Sequence, residues 1–84
     1  MKNFTGSVDV ARIEEAIQML NTYVEDASIK PFISILEAIK NEPDNKLLLV
    51  QLYDEFQNLG ITQGAVLTYA PSIYDLIIDD PFGD

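Results

Sequence analysis

"KLLLVQLY", residues 46 to 53, decides the fold class, because a short apolar run of this length is either a buried strand or part of a helix. Leucine and glutamine favour the helix, and the rest of the chain offers no second strand that could pair with this run. Apolar residues also recur at helical spacing from Leu48 to Leu59. The sequence therefore predicts an all-α protein.

This third predicted helix is expected to be the central, most buried element. It begins at Asp44 or Asn45, after the helix-ending stretch "NEPDN", and Gly60 supplies its C-terminal stop. Its apolar residues cover more than one side of the helix, which is the basis for placing it at the centre. These residues are Leu47, Leu48, Leu49, Val50, Leu52, Tyr53, Phe56 and Leu59.

Two amphipathic helices precede this stretch. The first begins near Ser7 or Asp9 and ends near Asp26. The second runs from about residue 29 to 41, with Ser28 as its N-cap and Pro31 in its first turn, where the missing N–H is tolerated. Spacings of three and four residues predict the inward faces. They are Val10, Ile13, Ile17, Leu20 and Val24 on the first helix and Ile29, Phe32, Ile33, Leu36 and Ile39 on the second.

Two short helices follow Gly60. Thr62 is expected to cap the fourth helix, which ends at Ala70 because Pro71 disfavours the helical conformation of the residue before it. Ser72 and Asp75 have the spacing of a capping box, which predicts a last helix over about 73 to 79. The inward residues of this last helix are Ile73, Leu76 and Ile77.

Length and composition predict a single compact bundle of four to five short helices over residues 1–84, with 1–6 and 80–84 as fraying ends. A chain of 84 residues forms one domain, and 48% hydrophobic residues are too many for a disordered chain. The N-terminus lacks the apolar run of a signal peptide, and no apolar run approaches the ~20 residues that span a bilayer. The absence of cysteine fits a reducing compartment. We therefore expect a cytoplasmic protein without a membrane partner.

Residues 52 to 71 resemble the helix-turn-helix motif of DNA-binding regulators, within a helix-turn-helix-like segment at about 47–70. The matching positions are the turn glycine, two inward hydrophobic residues beside it, and two packing residues of the second helix. In this chain they are Gly60, Leu59, Ile61, Val66 and Tyr69. Two positions depart from the motif, since Phe56 stands where a small alanine is usual and Glu55 where an aliphatic residue is usual.

The resemblance implies that the second helix would read bases in the major groove. Its polar side chains are Thr62, Gln63 and Thr68, and no basic residue follows Lys46. Because lysine and arginine supply most of the nonspecific affinity for DNA, nucleic acid is an unlikely partner. A DNA-binding regulator is kept as the alternative function.

The third functional hypothesis is an acidic DNA mimic. The net charge is -9, and all five basic residues lie within the first 46 positions, so that only acidic charges follow. A mimic needs carboxylates at phosphate-like spacing along an exposed face. Asp75 and Asp79, one helical turn apart, begin such a row, which then stops.

The residue types present do not indicate catalysis or a cofactor. The chain has no histidine and no cysteine, which excludes imidazole bases, thiolate nucleophiles and zinc sites built from them. Glu14 with Glu15, and Asp54 with Glu55, are adjacent on helices and point about 100° apart, so neither pair converges on one substrate atom. We predict that the protein is not an enzyme and binds no cofactor or metal.

The function that we predict first is a protein-protein interaction module, acting as a small regulator, adaptor or inhibitor. Tyrosine tolerates partial burial and anchors interfaces, and an acidic surface attracts basic partners. We therefore expect a partner protein with a basic or amphipathic surface, and leave a homo-oligomer open. The candidate protein-binding residues are Tyr53, Tyr69, Tyr74, Asp75 and Asp79.

Overall fold

The structure, a computed structural model, describes residues 9–78 apart from the side chains of Asp75 and Ile78. These residues form five α-helices and, within that range, no strand, which confirms the all-α bundle. The helices are α1 (Val10–Tyr23), α2 (Lys30–Asn41), α3 (Lys46–Gln57), α4 (Gln63–Tyr69) and α5 (Tyr74–Ile78). Short 3-10 turns precede α2, α4 and α5, at Ala27–Ile29, Gly60–Thr62 and Pro71–Ile73.

Several helix ends follow directly from local sequence. The side chain of Asp9 accepts a hydrogen bond from the backbone N–H of Ala11, and Asn45 accepts one from Leu47, each at 3.0 Å, so these two residues cap α1 and α3. Gly60 has a φ of 64°, the left-handed conformation that ends a helix and that glycine adopts without strain. The predicted starts of α1 and α3 and the stop at Gly60 are confirmed.

Three hydroxyl residues predicted as caps have other partners. The turn before α2 is capped by Asp26, which accepts the backbone N–H of Ser28 at 2.9 Å. The hydroxyl of Thr62 donates to the carboxylate of Asp26 at 3.1 Å instead of capping α4. The hydroxyl of Ser72 donates to the carbonyl of Arg12 at 3.0 Å, and α5 begins only at Tyr74. The predictions for Thr62 and Ser72 were wrong because a partner far away in the sequence replaced the local one, and that for Ser28 because the nearby Asp26 caps the turn instead.

The central helix is α2, which packs against both α1 and α3. Helices α2 and α3 have three buried residues each, so α3 is not more buried than α2, contrary to the prediction from the sequence. On α3 the buried residues are Leu49, Leu52 and Phe56, whereas Leu47 is 68% exposed. The reason is that the apolar run is wider than the one side of α3 that its neighbours α2 and α5 contact.

The core joins all five helices. The rings of Phe32 and Phe56 connect α2 with α3, at a centroid distance of 6.3 Å and an interplanar angle of 52°. Helix α4 packs against α1, and α5 against α3. The predicted inward residues of α2 and α5 are buried, except that Ile33 is only partly so. Burial of the remaining inward positions is complete at Ile13, Leu20, Leu52 and Val66 and partial at Val10, Ile17, Val24 and Leu48.

Candidate protein-binding surface

Helix α4 is held on α1 by its apolar side and by the turn that follows it. Val66 and Ala70 are fully buried in the core. Beyond them, the Nε of Arg12 donates to the carbonyl of Ser72 at 2.6 Å, while the hydroxyl of Ser72 donates back to the carbonyl of Arg12. These two hydrogen bonds fix the Pro71–Ile73 turn against the first turn of α1, so that the opposite side of α4 faces outward.

The structure places the predicted binding tyrosines on three different helices. Tyr53 lies on α3 and Tyr69 on α4, both partly buried, while Tyr74 is the first residue of α5 and is 51% exposed. The side chain of Asp75 and the whole of Asp79 lie outside the described residues. Tyr74 is therefore the predicted residue with the most contact area available to a partner.

A further tyrosine, Tyr23, was missed by the sequence analysis. Its ring stacks on that of Tyr69 at a centroid distance of 5.2 Å and an interplanar angle of 15°, and it is 56% exposed. Stacked rings of this kind are ordered without being hidden. Tyr23 lies outside the apolar stripe of α1, and its partner is far away in sequence, so helical spacing does not indicate the pair.

The exposure of Ile61 contradicts the alignment with the helix-turn-helix motif. The alignment predicts an inward Ile61, whereas the structure leaves this side chain 98% exposed. The turn that begins at Gly60 directs Leu59 and Thr62 inward, and the side chain between them consequently points to solvent. The motif's inward position is therefore not reproduced.

The polar side chains that would read DNA all bond within the protein. Gln63 donates from its amide to the carbonyl of Phe56 at 2.9 Å and to that of Gln57 at 3.3 Å, which satisfies the end of α3. Thr62 donates to Asp26, and Thr68 donates to the carbonyl of Gly64 at 2.8 Å. These three side chains are therefore engaged within the protein, and α4 itself is packed against α1.

The segment from Phe56 to Tyr74 contains no charged residue, in a chain where 23% of the residues are charged. From Ile61 onward it is exposed at five positions, which we call the uncharged surface. They are Ile61, Gly64, Thr68, Pro71 and Tyr74. Depletion of charge and exposure of apolar and aromatic groups are typical of the centre of a protein interface. The gap in charge is visible in the sequence and was the signal that could have indicated this surface.

Asp26 borders the uncharged surface through its contact with Thr62. Its carboxylate accepts hydrogen bonds from the backbone N–H and the hydroxyl of Ser28 and from the hydroxyl of Thr62, and these lower the pKa of Asp26 below its ordinary value of 3.8. The hydroxyls of Ser28 and Thr62 are 3.4 Å apart. At neutral pH this corner of the surface therefore carries a full negative charge, held in place by three donors.

Other features of the described residues suggest no competing site. Glu14 pairs with Lys40 at 3.9 Å on the exposed faces of α1 and α2. Between residues 9 and 78, no group of acidic side chains is arranged to hold a metal ion. None of the helices in this range is long and apolar enough to cross a bilayer.

No family model, curated protein or solved structure matches the chain. The uncharged surface and its acidic surroundings are thus the basis on which we assign a function.

Proposed function

We propose that this chain is a non-enzymatic protein-interaction module that binds another protein through the uncharged surface. The observation that carries the proposal is Ile61, an isoleucine that is 98% exposed within a segment free of charge. Burying such a side chain on binding removes apolar area from water at roughly 25 cal/mol per Å². A module of this kind acts as a small regulator, adaptor or inhibitor.

Tyrosine contacts extend the surface beyond Ile61. Tyr74 presents about half of its side chain beside Pro71, and the stacked rings of Tyr23 and Tyr69 form an ordered aromatic pair between α1 and α4. Aromatic anchors that are already ordered lose little entropy on binding. Tyr53 on α3 lies outside this surface, and we assign it no contact.

Acidic residues close to the surface in the chain favour a basic or amphipathic partner. Asp54 and Glu55 lie in the last turns of α3, Glu25 precedes Asp26, which bonds to Thr62, and Asp75 follows Tyr74 in the chain. An acidic rim mainly accelerates encounter with a basic partner, while the apolar centre sets the residence time. The absence of cysteine fits a function in the reducing cytoplasm.

The test is site-specific photo-crosslinking in extracts of the source cells. A benzoylphenylalanine placed at position 61 or 74 is expected to crosslink one discrete partner, because both positions lie on the uncharged surface. The matched control is position 47, since Leu47 is also a strongly exposed apolar residue but lies in the first turn of α3. Helical rise places it about 15 Å from the end of α3 that leads into the surface.

A discrete product from positions 61 and 74 that is missing from position 47 supports the proposal. Equal products from all three positions indicate nonspecific apolar contact, and a product from position 47 alone moves the interface to α3. Either of these results contradicts the proposal. Each variant is first checked by circular dichroism for a helical spectrum with unchanged thermal midpoint.

A further inference from the structure

Gly64 is a glycine that the fold of the monomer does not need. It lies within α4 without the positive φ that requires glycine at position 60, and a Cβ added to it would meet nothing within 4 Å. Glycine inside a helix is less favourable than alanine because it loses more conformational freedom on folding. The fold therefore leaves an uncovered stretch of helix backbone at this position, open to contact from outside.

Gly64 lies close in the chain to two other exposed residues. Gly64 and Thr68, four residues apart, lie on one side of α4, and Ile61 lies three residues before Gly64 in the turn that leads into α4; all three are exposed. The hydroxyl of Thr68 folds back to the carbonyl of Gly64 at 2.8 Å, so it does not project as a free polar group. The result is a strip in which Ile61 protrudes beside an exposed stretch of backbone.

We infer that the partner segment is an amphipathic α-helix with flanking lysine or arginine residues, which crosses α4 at Gly64. This inference rests on the proposed function and specifies its partner. The distance between two packed helices depends on the side chains at their contact, and a glycine there permits the closest approach. Ile61 would then insert between side chains on the apolar stripe of the incoming helix.

The negative charge of the chain favours a basic helix over a second copy of this chain as the partner. The carboxylate of Asp26 accepts a hydrogen bond from Thr62, the residue next to Ile61, and the chain contains no charged residue from Phe56 to Tyr74. The whole chain carries -9, and a second copy would bring the same sign to the interface. A helix flanked by cations complements this negative charge. The described residues offer no strand edge on which an extended peptide could pair.

The experiment uses the full chain and a synthetic helical peptide of about 18 residues, with leucine at helical spacing and lysine on both flanks. Two matched peptides replace lysine by glutamate or scramble the leucine positions. Binding is measured by fluorescence anisotropy, and thermal midpoints by circular dichroism. The protein variants are Gly64→Ala and Gly64→Leu, with Leu47→Ala as the control for an exposed apolar residue outside the surface.

Gly64 variants are expected to change stability and binding in opposite directions. Alanine should raise the thermal midpoint by roughly 2 to 8 °C, since it is the better helix former and has open space. It should nevertheless weaken binding of the lysine peptide at least about fivefold, and leucine should weaken it more, because each added group separates the two helices. Leu47→Ala should leave the affinity unchanged. Gly60→Ala, where the space is equally open but φ is positive, should lower the midpoint instead.

Several results would overturn the inference. Equal affinity of Gly64→Leu and the unaltered protein would show attraction by charge alone. Sedimentation as a dimer that Gly64→Leu dissociates would assign the surface to a second copy. Phe4 and Phe82 are the phenylalanines near the two ends of the chain. If Phe4→Ser or Phe82→Ser raises the affinity for the peptide, the surface is assigned to the chain's own terminal residues. If the peptide series fails while crosslinking at position 61 persists, only the helical partner is wrong; loss of that crosslink contradicts the proposed function itself.

Discussion

The side chain of Thr62 links two interhelical segments that are far apart in the sequence. It is the one buried polar residue of the described chain, and its hydroxyl donates to Asp26 in the connection between α1 and α2. A buried hydroxyl is stable only when it is hydrogen-bonded, and here its acceptor is an exposed carboxylate that also caps the turn before α2. This hydrogen bond therefore links the turn that carries Ile61 to the carboxylate of Asp26.

This link predicts that the loss of stability caused by Thr62→Val varies with pH. Hydrogen bonds from Ser28 and Thr62 lower the pKa of folded Asp26 below 3.8, so the unfolded chain binds the proton more readily. The stabilisation is present above the unfolded pKa and is lost as the pH falls through the folded one. Thr62→Val should therefore lower the urea midpoint clearly at pH 7 and much less near pH 2.5. Thr68→Val, which removes a hydroxyl bonded only to a backbone carbonyl, is the control whose effect should not vary with pH. An effect of Thr62→Val that is equal at both pH values would contradict the link to Asp26.

Helices were predictable from sequence where their signals are local. Asp9 and Asn45 cap the helices that follow them, and Gly60 and Pro71 end segments through their own backbone geometry. The hydroxyls of Thr62 and Ser72 were misassigned because their partners lie across the fold, and that of Ser28 because Asp26, two residues earlier, takes the capping role. The same limit applies to the candidate site: exposure of Tyr74 fits its predicted role, but the Tyr23–Tyr69 stack and the outward turn at Ile61 arise only once α4 is packed on α1.

The central place of α2 predicts a sharp contrast between two leucines. Leu36 on α2 is fully buried between α1 and α3, whereas Leu47 on α3 is largely exposed. Leu36→Ala should cost about 2 to 5 kcal/mol of unfolding free energy, because it removes buried methyl groups and leaves a cavity. Leu47→Ala should change it by no more than about 0.5 kcal/mol. Urea unfolding followed by circular dichroism measures both values. A larger loss at Leu47 than at Leu36 would contradict the burial of these two side chains in the structure.

Negative charge is the dominant property of the whole molecule. The chain carries 14 acidic and five basic residues, and its pI is about 4.1. The exposed pair of Glu14 and Lys40 at 3.9 Å contributes little against this excess, since solvent-exposed ion pairs are weak. Mutual repulsion of the acids therefore destabilises the compact state. The same excess supplies the long-range attraction for a basic partner that the proposed function requires.

Salt should accordingly stabilise this protein. Raising NaCl from ~10 mM to ~300 mM shortens the Debye length from about 30 Å to about 6 Å, which screens repulsion across the molecule while leaving the core unchanged. The thermal midpoint should rise, as measured by circular dichroism in chloride rather than sulfate, because sulfate also strengthens apolar burial. The matched variant combines Glu25→Lys with Asp54→Lys, two exposed positions, and changes the net charge from -9 to -5, since each substitution adds two positive units. It should be more stable than the unaltered chain at low salt and respond less to added NaCl. A midpoint that falls with salt would mean that attractive ion pairs outweigh repulsion, and the acidic field would then be weaker than its net charge indicates.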